Sequence, residues 1–311
     1  MASTLVTGGA GFIGSHVVDA LAEEGHDVAI VDNLSTGKRD NLRPGVAFHD
    51  VDIRDRAALS QVLDTVRPEF VFHLAAQIDV RRSTREPVFD AECNVIGSIN
   101  LLEACVSAGV RKVIYTNTGG ALYGEVDPAD LPLAEEYAIA PVSQYAISKH
   151  TVEHYLYLYS HLYGLAYTSL RLPNIYGPRQ DPHGEAGVVA IFMGRMLAGE
   201  AITIFGDGSQ TRDYLYVRDV ARAALAAMSA GDGEAYNLGT GVETSVLELA
   251  SAVARVMGYE KNPEFAPERP GELSRNSLDA AKARRELAWE PGLSFQEGLE
   301  ATLAHSPPPS P

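Results

Sequence analysis

The sequence predicts an α/β protein, a doubly wound parallel sheet in its first half with a smaller α/β unit after it. Three observations carry this. Short apolar runs at 5–7, 28–31, 46–48, 70–74 and 113–115 alternate with stretches of helical periodicity. Such alternation calls for parallel strands joined by right-handed crossovers, with helices on both faces. The first run ends in a glycine turn that opens at once into a helix, and a sixth run at 166–172 ends at Pro173, where the alternation stops.

Bulk properties narrow the class. With 311 residues, 46% hydrophobic and 21% charged, the chain reads as an ordinary globular protein with room for two units sharing a cleft. A formal charge of −16 argues against a nucleic-acid partner, which would need basic patches. A few arginines can still build a local anion pocket. Cys93 and Cys105 fall on one expected helix, about 18 Å apart at 1.5 Å per residue, too far for a disulfide. Two incidental thiols suit a cytoplasmic setting. The N-terminus lacks the basic region of a signal peptide, and no apolar run is long enough to span a bilayer, so no membrane partner is expected.

The first strand leads into Gly8-Gly9-Ala10-Gly11-Phe12-Ile13-Gly14. Gly8 allows a sharp turn out of a buried strand, Gly11 lets a pyrophosphate approach the backbone, and Gly14 allows close packing of the new helix. The free N–H groups of that helix, which opens at Phe12 and Ile13, and the positive end of its dipole face the phosphates. The second strand ends at Asp32, placed to accept hydrogen bonds from an adenosine ribose, and its charge disfavours a 2′-phosphate. The expected cofactor is therefore NAD, with Asn33, Ser35, Thr36, Gly37 and Lys38 at the adenosine end. Asp52 and Ile53, after the third strand, suit an adenine edge and face, although an N-capping aspartate explains Asp52 equally well.

The fourth strand ends in His73-Leu74-Ala75-Ala76-Gln77, whose small residues let a cofactor lie across the strand end. His73 reads as a packed core histidine. Asn94 lies on a helix too apolar for the surface and suits a backbone hydrogen bond near the nicotinamide. The fifth strand ends in Thr116-Asn117-Thr118-Gly119-Gly120, where hydroxyls face a substrate. On the next helix Tyr145 and Lys149 stand four apart and share a face. A cation there favours the phenolate and is expected to lower the tyrosine pKa, making a general base. His150-Thr151-Val152-Glu153-His154 matches a zinc-binding pattern, but the preceding turn is committed to Tyr145 and Lys149 and no third ligand follows, so no metal is expected. The aromatic run at 155–163 reads as core or as a helix–helix face.

Beyond residue 173 the sequence predicts a helix at 188–197, a strand at 201–205, an arginine-bearing loop at 206–214, a helix at 217–228, a strand at 235–238 and a helix at 246–257. Arg212 and Arg269, in loops framed by Gly and Pro, suit a diphosphate through charge-assisted bonds, with surface ion pairs as the plain alternative. The expected division is 1–172 for the dinucleotide, with 214–240 packing back onto it, 173–305 for the substrate, and a disordered tail at 306–311.

The ordered segments TGGAGFIGSH, VDNLSTG, HLAAQ, YAISK, RLPNIYGPRQ, GDGSQTRDYLYV and RPGE resemble the extended short-chain dehydrogenase/reductases, and among them the UDP-glucose (UDP-galactose) 4-epimerases. The resemblance implies a Rossmann-type fold, tightly held NAD, a UDP-sugar in the cleft, and a homodimer through helices at 88–108 and 144–163. It implies Tyr145 as general base, Lys149 on the nicotinamide ribose, and Pro173 among the cofactor contacts. Asn174, Val189, Arg212, Arg269 and Glu272 become substrate contacts. The family's usual catalytic Ser/Thr position holds Gly119, which leaves Thr118 or Thr116 to supply the hydroxyl; Thr118 is the expectation. Related dehydratases carry an Asp-Glu pair where this chain has Gly120 and Ala121. Asn276, small at the position expected to gate the sugar's 2-substituent, implies that N-acetyl sugars are accepted. A non-catalytic NAD-binding regulator remains the alternative of another class.

Overall fold

The computed structural model describes residues 1–183, 187–269 and 271–305; Pro270 and the tail expected at 306–311 lie outside them. The first half runs β1 (Ser3–Thr7), α1 (Phe12–Glu23), β2 (Asp27–Asp32), β3 (Ala47–Asp50), α2 (Arg56–Val66) and β4 (Phe70–His73). Then come α3 (Val80–Arg85), α4 (Pro87–Ala91), a π turn (Glu92–Ile96), α5 (Gly97–Ala108), β5 (Lys112–Thr118), α6 (Gln144–Tyr163) and β6 (Ala166–Leu172). The second half runs β7 (Asn174–Tyr176), α7 (Val188–Leu197), β8 (Thr203–Phe205), β9 (Thr211–Arg212), β10 (Tyr214–Tyr216), α8 (Val217–Ala226) and β11 (Glu234–Asn237). It closes with β12 (Thr244–Ser245), α9 (Val246–Met257), β13 (Glu264–Ala266), α10 (Ala281–Glu286) and α11 (Phe295–Ala304).

Seven strands form one parallel sheet in the order β11-β6-β5-β4-β1-β2-β3. The order reverses between β1 and β4, and that crevice at the strands' carboxyl ends is where ligands of such sheets bind. Strand β11, from the second half, pairs with β6 at the sheet edge, and α8 packs on α1. The strands are short and apolar because both faces are covered. One face buries Val6, Ile30, Phe72 and Ile114 against α1 and α8. The other buries Leu5, Val71 and Val113 against side chains of α2, α5 and α6 such as Leu59, Leu101 and Leu156. A third cluster, built from α7, α9 and neighbouring strands, holds Phe192, Met193, Ile204 and Leu249.

The helix expected at 88–108 is not regular: Glu92–Ile96 form a π turn that carries Asn94. An added residue within a turn rotates the side chains that follow, and such bulges gather at functional sites. Helix α6 matches its expected span, capped by the Ser143 hydroxyl, which accepts from the Ala146 N–H at 3.2 Å. Asp52 is not the N-cap of α2; Asp55 is, accepting from the Ala58 N–H at 3.1 Å. Among the described residues no helix is long and apolar enough to cross a membrane.

Candidate active site

The dinucleotide side is built from backbone. Gly8 has φ +73°, and a Cβ there would lie 2.7 Å from the Ala75 nitrogen, just past β4. A Cβ on Gly14 would lie 2.1 Å from the Gly8 carbonyl oxygen, so the turn and α1 close on each other. Gly11 is the N-cap of α1 and offers no side-chain cap, nor is there an acid in the first turn. The helix end therefore presents donors of its own at Phe12 and Ile13. Asp32 is buried; its Oδ2 accepts from the Ala10 N–H at 3.0 Å and its Oδ1 from the Leu34 N–H at 2.8 Å. Each oxygen keeps a second lone pair for a ribose hydroxyl. A Cβ at Gly37 would stand 2.8 Å from Asp32 Oδ1, which explains the glycine. Turn, open helix end and buried carboxylate together fit a dinucleotide.

Around this core the expected contacts spread unevenly. Asn33 Nδ2 donates to Asp52 Oδ2 at 2.9 Å, and Ser35 and Thr36 are exposed beside it. Asp52 is held by Arg54, which keeps its carboxyl at about 2. Ile53 is buried against Gly97, where a Cβ would come within 2.7 Å of its side chain. Leu74 and Ala75 are tied to Thr7, by its carbonyl at 3.1 Å and its hydroxyl at 3.3 Å. Ala76 continues this loop. His73 is core, as expected, hydrogen-bonded to Thr7 Oγ1 and Ser98 Oγ, and burial pushes its pKa down to about 3.

Asn94 bonds backbone, as its buried position suggested. Its Oδ1 accepts from the Gln77 N–H at 2.7 Å and its Nδ2 donates to the Gln77 carbonyl at 3.0 Å. Nδ2 also reaches Ser148 Oγ at 3.1 Å, between Tyr145 and Lys149. Lys149 is 4% exposed, its ammonium 4.3 Å from the centroid of the Tyr115 ring. Burial pushes Lys149 down to about 7, against the pull of Asp90 and Glu153. The expected lowering of Tyr145 is not what the structure shows. Burial, helped by the charge of Asp90, pushes it up to about 12. Desolvation of the phenolate sets the direction in this environment.

The acid of the zinc-like pattern is engaged in an ion pair. Glu153 is buried in a bidentate pair with Arg171 on β6, at 3.1 and 2.9 Å, and accepts from Ser169 Oγ at 2.6 Å. No cluster of three potential metal ligands occurs among the described residues. His150 and His154 pack edge to face.

At the end of β5, Thr116 is buried and directs its hydroxyl to the His73 carbonyl at 3.4 Å, while Thr118 is half-buried at the strand's end. Gly119 and Gly120 donate their N–H groups to the Leu172 carbonyl at 2.7 and 3.0 Å, which brings them beside Pro173 and Asn174. Asn174 Oδ1 would lie 3.5 Å from a Cβ on Gly120. A Cβ at Gly119 would come within 2.4 Å of the Leu278 side chain, a physical reason for glycine at that position. Asn276 is 1% exposed and donates to the Gly119 carbonyl at 3.3 Å, with its Oδ1 lacking a partner. It is a buried tie to this turn rather than an open gap.

The two arginines are partnered separately. Arg212 Nη2 lies 3.6 Å from Glu272, and the Arg269 guanidinium stacks 3.7 Å from the centroid of Phe205. Val189 is buried in the α7 cluster. Residues not singled out in the sequence also shape the site. Asp213 is fully buried, receiving the N–H groups of Thr240, Gly241 and Leu278 and so locking the Arg212 strand to the 276–278 segment. Asp90 and Gln77 join Asn94; the i, i+4 spacing of Asp90 and Asn94 is the one signal that pointed to them.

A parallel sheet with a glycine turn at its switch point, followed by a helix bearing Tyr145 and Lys149, defines a dinucleotide-dependent enzyme of the short-chain dehydrogenase/reductase class. The family model for the NAD-dependent epimerase/dehydratase family matches residues 4–239, and the chain belongs to that family. It is 48% identical over 306 residues to a UDP-glucose 4-epimerase of Mycolicibacterium smegmatis, covering 96% of this chain and 97% of that one. A crystal structure of UDP-glucose 4-epimerase with UDP-glucose from Thermotoga maritima superposes with a TM-score of 0.95 at 50% identity, covering 97% of both chains. That of the Thermus thermophilus UDP-glucose 4-epimerase in complex with NAD gives 0.91 at 48% identity, covering 97% of this chain and 98% of that one.

Proposed function

We propose that the chain is an NAD-dependent 4-epimerase of UDP-hexoses, interconverting UDP-glucose and UDP-galactose through a transient 4-keto sugar. The observation that carries this is the placement of half-buried Tyr145 and buried Lys149 four apart on α6, with Lys149 against Tyr115 of β5 and Ser148 between them joined through Asn94 to the end of β4. The relatives reported above, similar over almost the whole chain, support it. NAD, when bound, supplies a reversible hydride acceptor for the sugar C4.

The protein's own residues do the rest. Donors at the start of α1 and the Asp32 carboxylate hold the dinucleotide. Tyr145 takes the O4 proton as the alcohol becomes a ketone and gives it back when the alcohol re-forms. Lys149 holds a positive charge beside that phenolate and reaches the nicotinamide ribose. Thr118 supplies the second hydroxyl, because that of Thr116 is already bonded to His73. Arg212, Arg269 and Asn174 grip the nucleotide diphosphate end, with Val189 and Glu272 around them. A firm hold on UDP and a loose one on the sugar let the keto sugar turn about its phosphate linkage.

The rival elimination of water to a 4-keto-6-deoxy sugar needs an acid at 120 or 121, where Gly120 and Ala121 stand. N-acetyl sugars as further substrates are supported by the likeness to a UDP-N-acetylglucosamine 4-epimerase from Methanobrevibacter ruminantium, 34% identical with a TM-score of 0.92, and not by Asn276, which is buried against Gly119. Exposed Val88, Ile96, Ile147, Leu158 and Leu162 on the α4–α5 segment and α6 support a homodimer through these helices. Cytoplasmic galactose metabolism is the setting this chemistry fits.

Purified protein incubated with UDP-galactose and no added NAD is expected to form UDP-glucose, and Tyr145→Phe to be at least about a hundredfold slower, the scale of a lost general base. A 4-keto-6-deoxy product, or no product, sinks this reading. UDP-N-acetylglucosamine offered in the same assay tests the wider specificity, and no turnover of it removes that extension.

A further inference from the structure

Asp90 is a buried charge that the reaction described above leaves unused. It sits on α4 with 1% of its surface exposed. Its Oδ1 accepts from Gln77 Nε2 at 3.0 Å and from Asn94 Nδ2 at 3.2 Å. Asn94 in turn holds both backbone groups of Gln77 and reaches Ser148 Oγ, which donates to the Tyr145 carbonyl at 3.0 Å. The end of β4, the π turn and the first turn of α6 thus meet at one carboxylate. Two neutral amides leave its charge uncompensated, and a buried charge needs an opposite one nearby.

The groups around Lys149 single out the partner. Glu153 lies one turn further along α6, but Arg171 on β6 neutralises it, with His150 and Ser169 also bonded to it. His73 from β4 is held neutral by burial, and Tyr115 from β5 has its phenol pushed well above its usual pKa. On α3, the carboxylate of the capping Asp79 accepts from the Arg82 N–H, and Arg82 pairs with Glu86. Glu92 and Cys93 of the π turn act on Arg54. Asp90 is the carboxylate whose field reaches both Lys149 and Tyr145 without a cation of its own among these groups.

We propose that Asp90 is a positioning residue, the buried counter-charge that keeps Lys149 an ammonium beside Tyr145 and ties the end of β4 to that pair through Gln77 and Asn94. This rests on the Tyr145–Lys149 reading of the site. Burial already brings Lys149 down to about 7 against the pull of Asp90, so losing the carboxylate moves the amine further toward its neutral form and takes a neighbouring cation from Tyr145. The same negative field opposes ionisation of Tyr145, so removing it lowers both groups together.

Asp90→Asn keeps an oxygen for Gln77 and Asn94 and removes only the charge. Both limbs of the pH profile of kcat with UDP-galactose are expected to move to lower pH by about one unit, the scale of a neighbouring-charge effect, while Asp90→Glu keeps the wild-type limbs. A slower enzyme with unmoved limbs overturns the proposal. Acetylation of Lys149 by acetic anhydride, followed against pH by peptide mass spectrometry, reads the same shift without turnover; an unchanged midpoint also overturns it. If the wild-type chain fails to interconvert the sugars while this midpoint moves, the functional reading falls and the Asp90 assignment stands. Should Asp90→Asn not fold, adding Lys149→Met is expected to restore folding by removing the other member of the pair, and absence of such coupling overturns the proposal.

Discussion

The two sides of the cleft are made differently. The dinucleotide side is a backbone construction, with Gly8, Gly14 and Gly37 each packed so that a single Cβ would collide, and Asp32 bonded to two main-chain N–H groups. The side proposed for the nucleotide sugar is made of long side chains, Arg212 beside Glu272 and Arg269 over Phe205. A ligand that stays through many turnovers is matched by a rigid cradle. One that arrives and leaves would be matched by side chains able to change partners.

The sharpest way to break this contrast is Gly14→Ala. With the new Cβ 2.1 Å from the Gly8 carbonyl, the turn must open, at a cost of about 3 kcal/mol or more for an overpacked site. The melting temperature and the dinucleotide content of the purified protein are both expected to fall. A variant that keeps its bound dinucleotide would show that the cradle is not rigid.

A smaller effect is expected at the junction of the two sides. Gly119→Ser places a hydroxyl at the position usual in the resembling family, yet its Cβ meets Leu278 at 2.4 Å, so stability is expected to drop by about 1–3 kcal/mol with no gain in rate. Leu278→Ala, which costs stability by itself, is expected to couple favourably with it in a double-mutant cycle of thermal melts. Strict additivity would place the strain elsewhere.

The smallest stability change belongs to the sugar side. Glu272→Gln, which frees Arg212 from an exposed partner, is expected to alter stability by less than about 1 kcal/mol. Arg212→Ala is expected to raise KM for UDP-galactose about tenfold with kcat nearly kept, the mark of binding lost equally in ground and transition states. A fall in kcat alone would mean that Arg212 acts on the reacting sugar rather than on the diphosphate.

Much of the molecule was readable along the chain. The strand at 166–172 and the helices at 144–163, 188–197 and 246–257 match the structure end to end, because apolar periodicity and flanking Ser or Gly caps are local signals. The glycine turn was legible for the same reason. The π turn at Glu92–Ile96 was not, since nothing in the helical periodicity marks one inserted residue. Arg171 and Glu153 are 18 positions apart, and nothing local to the motif containing Glu153 announced the guanidinium that β6 brings to it.

The sequence by itself determined the backbone chemistry of the cofactor turn and the pairing of Tyr145 with Lys149, because both rest on spacings within one or two turns of chain. Only the tertiary structure decided which way the pair shifts, burial driving the phenol up, against the lowering that spacing implied, and the amine down. It also decided the company of Gly119, which Leu278 and Asn276 reach from more than 150 residues away. Desolvation and close packing depend on what surrounds a group from every side, and the local sequence lists only what precedes and follows it.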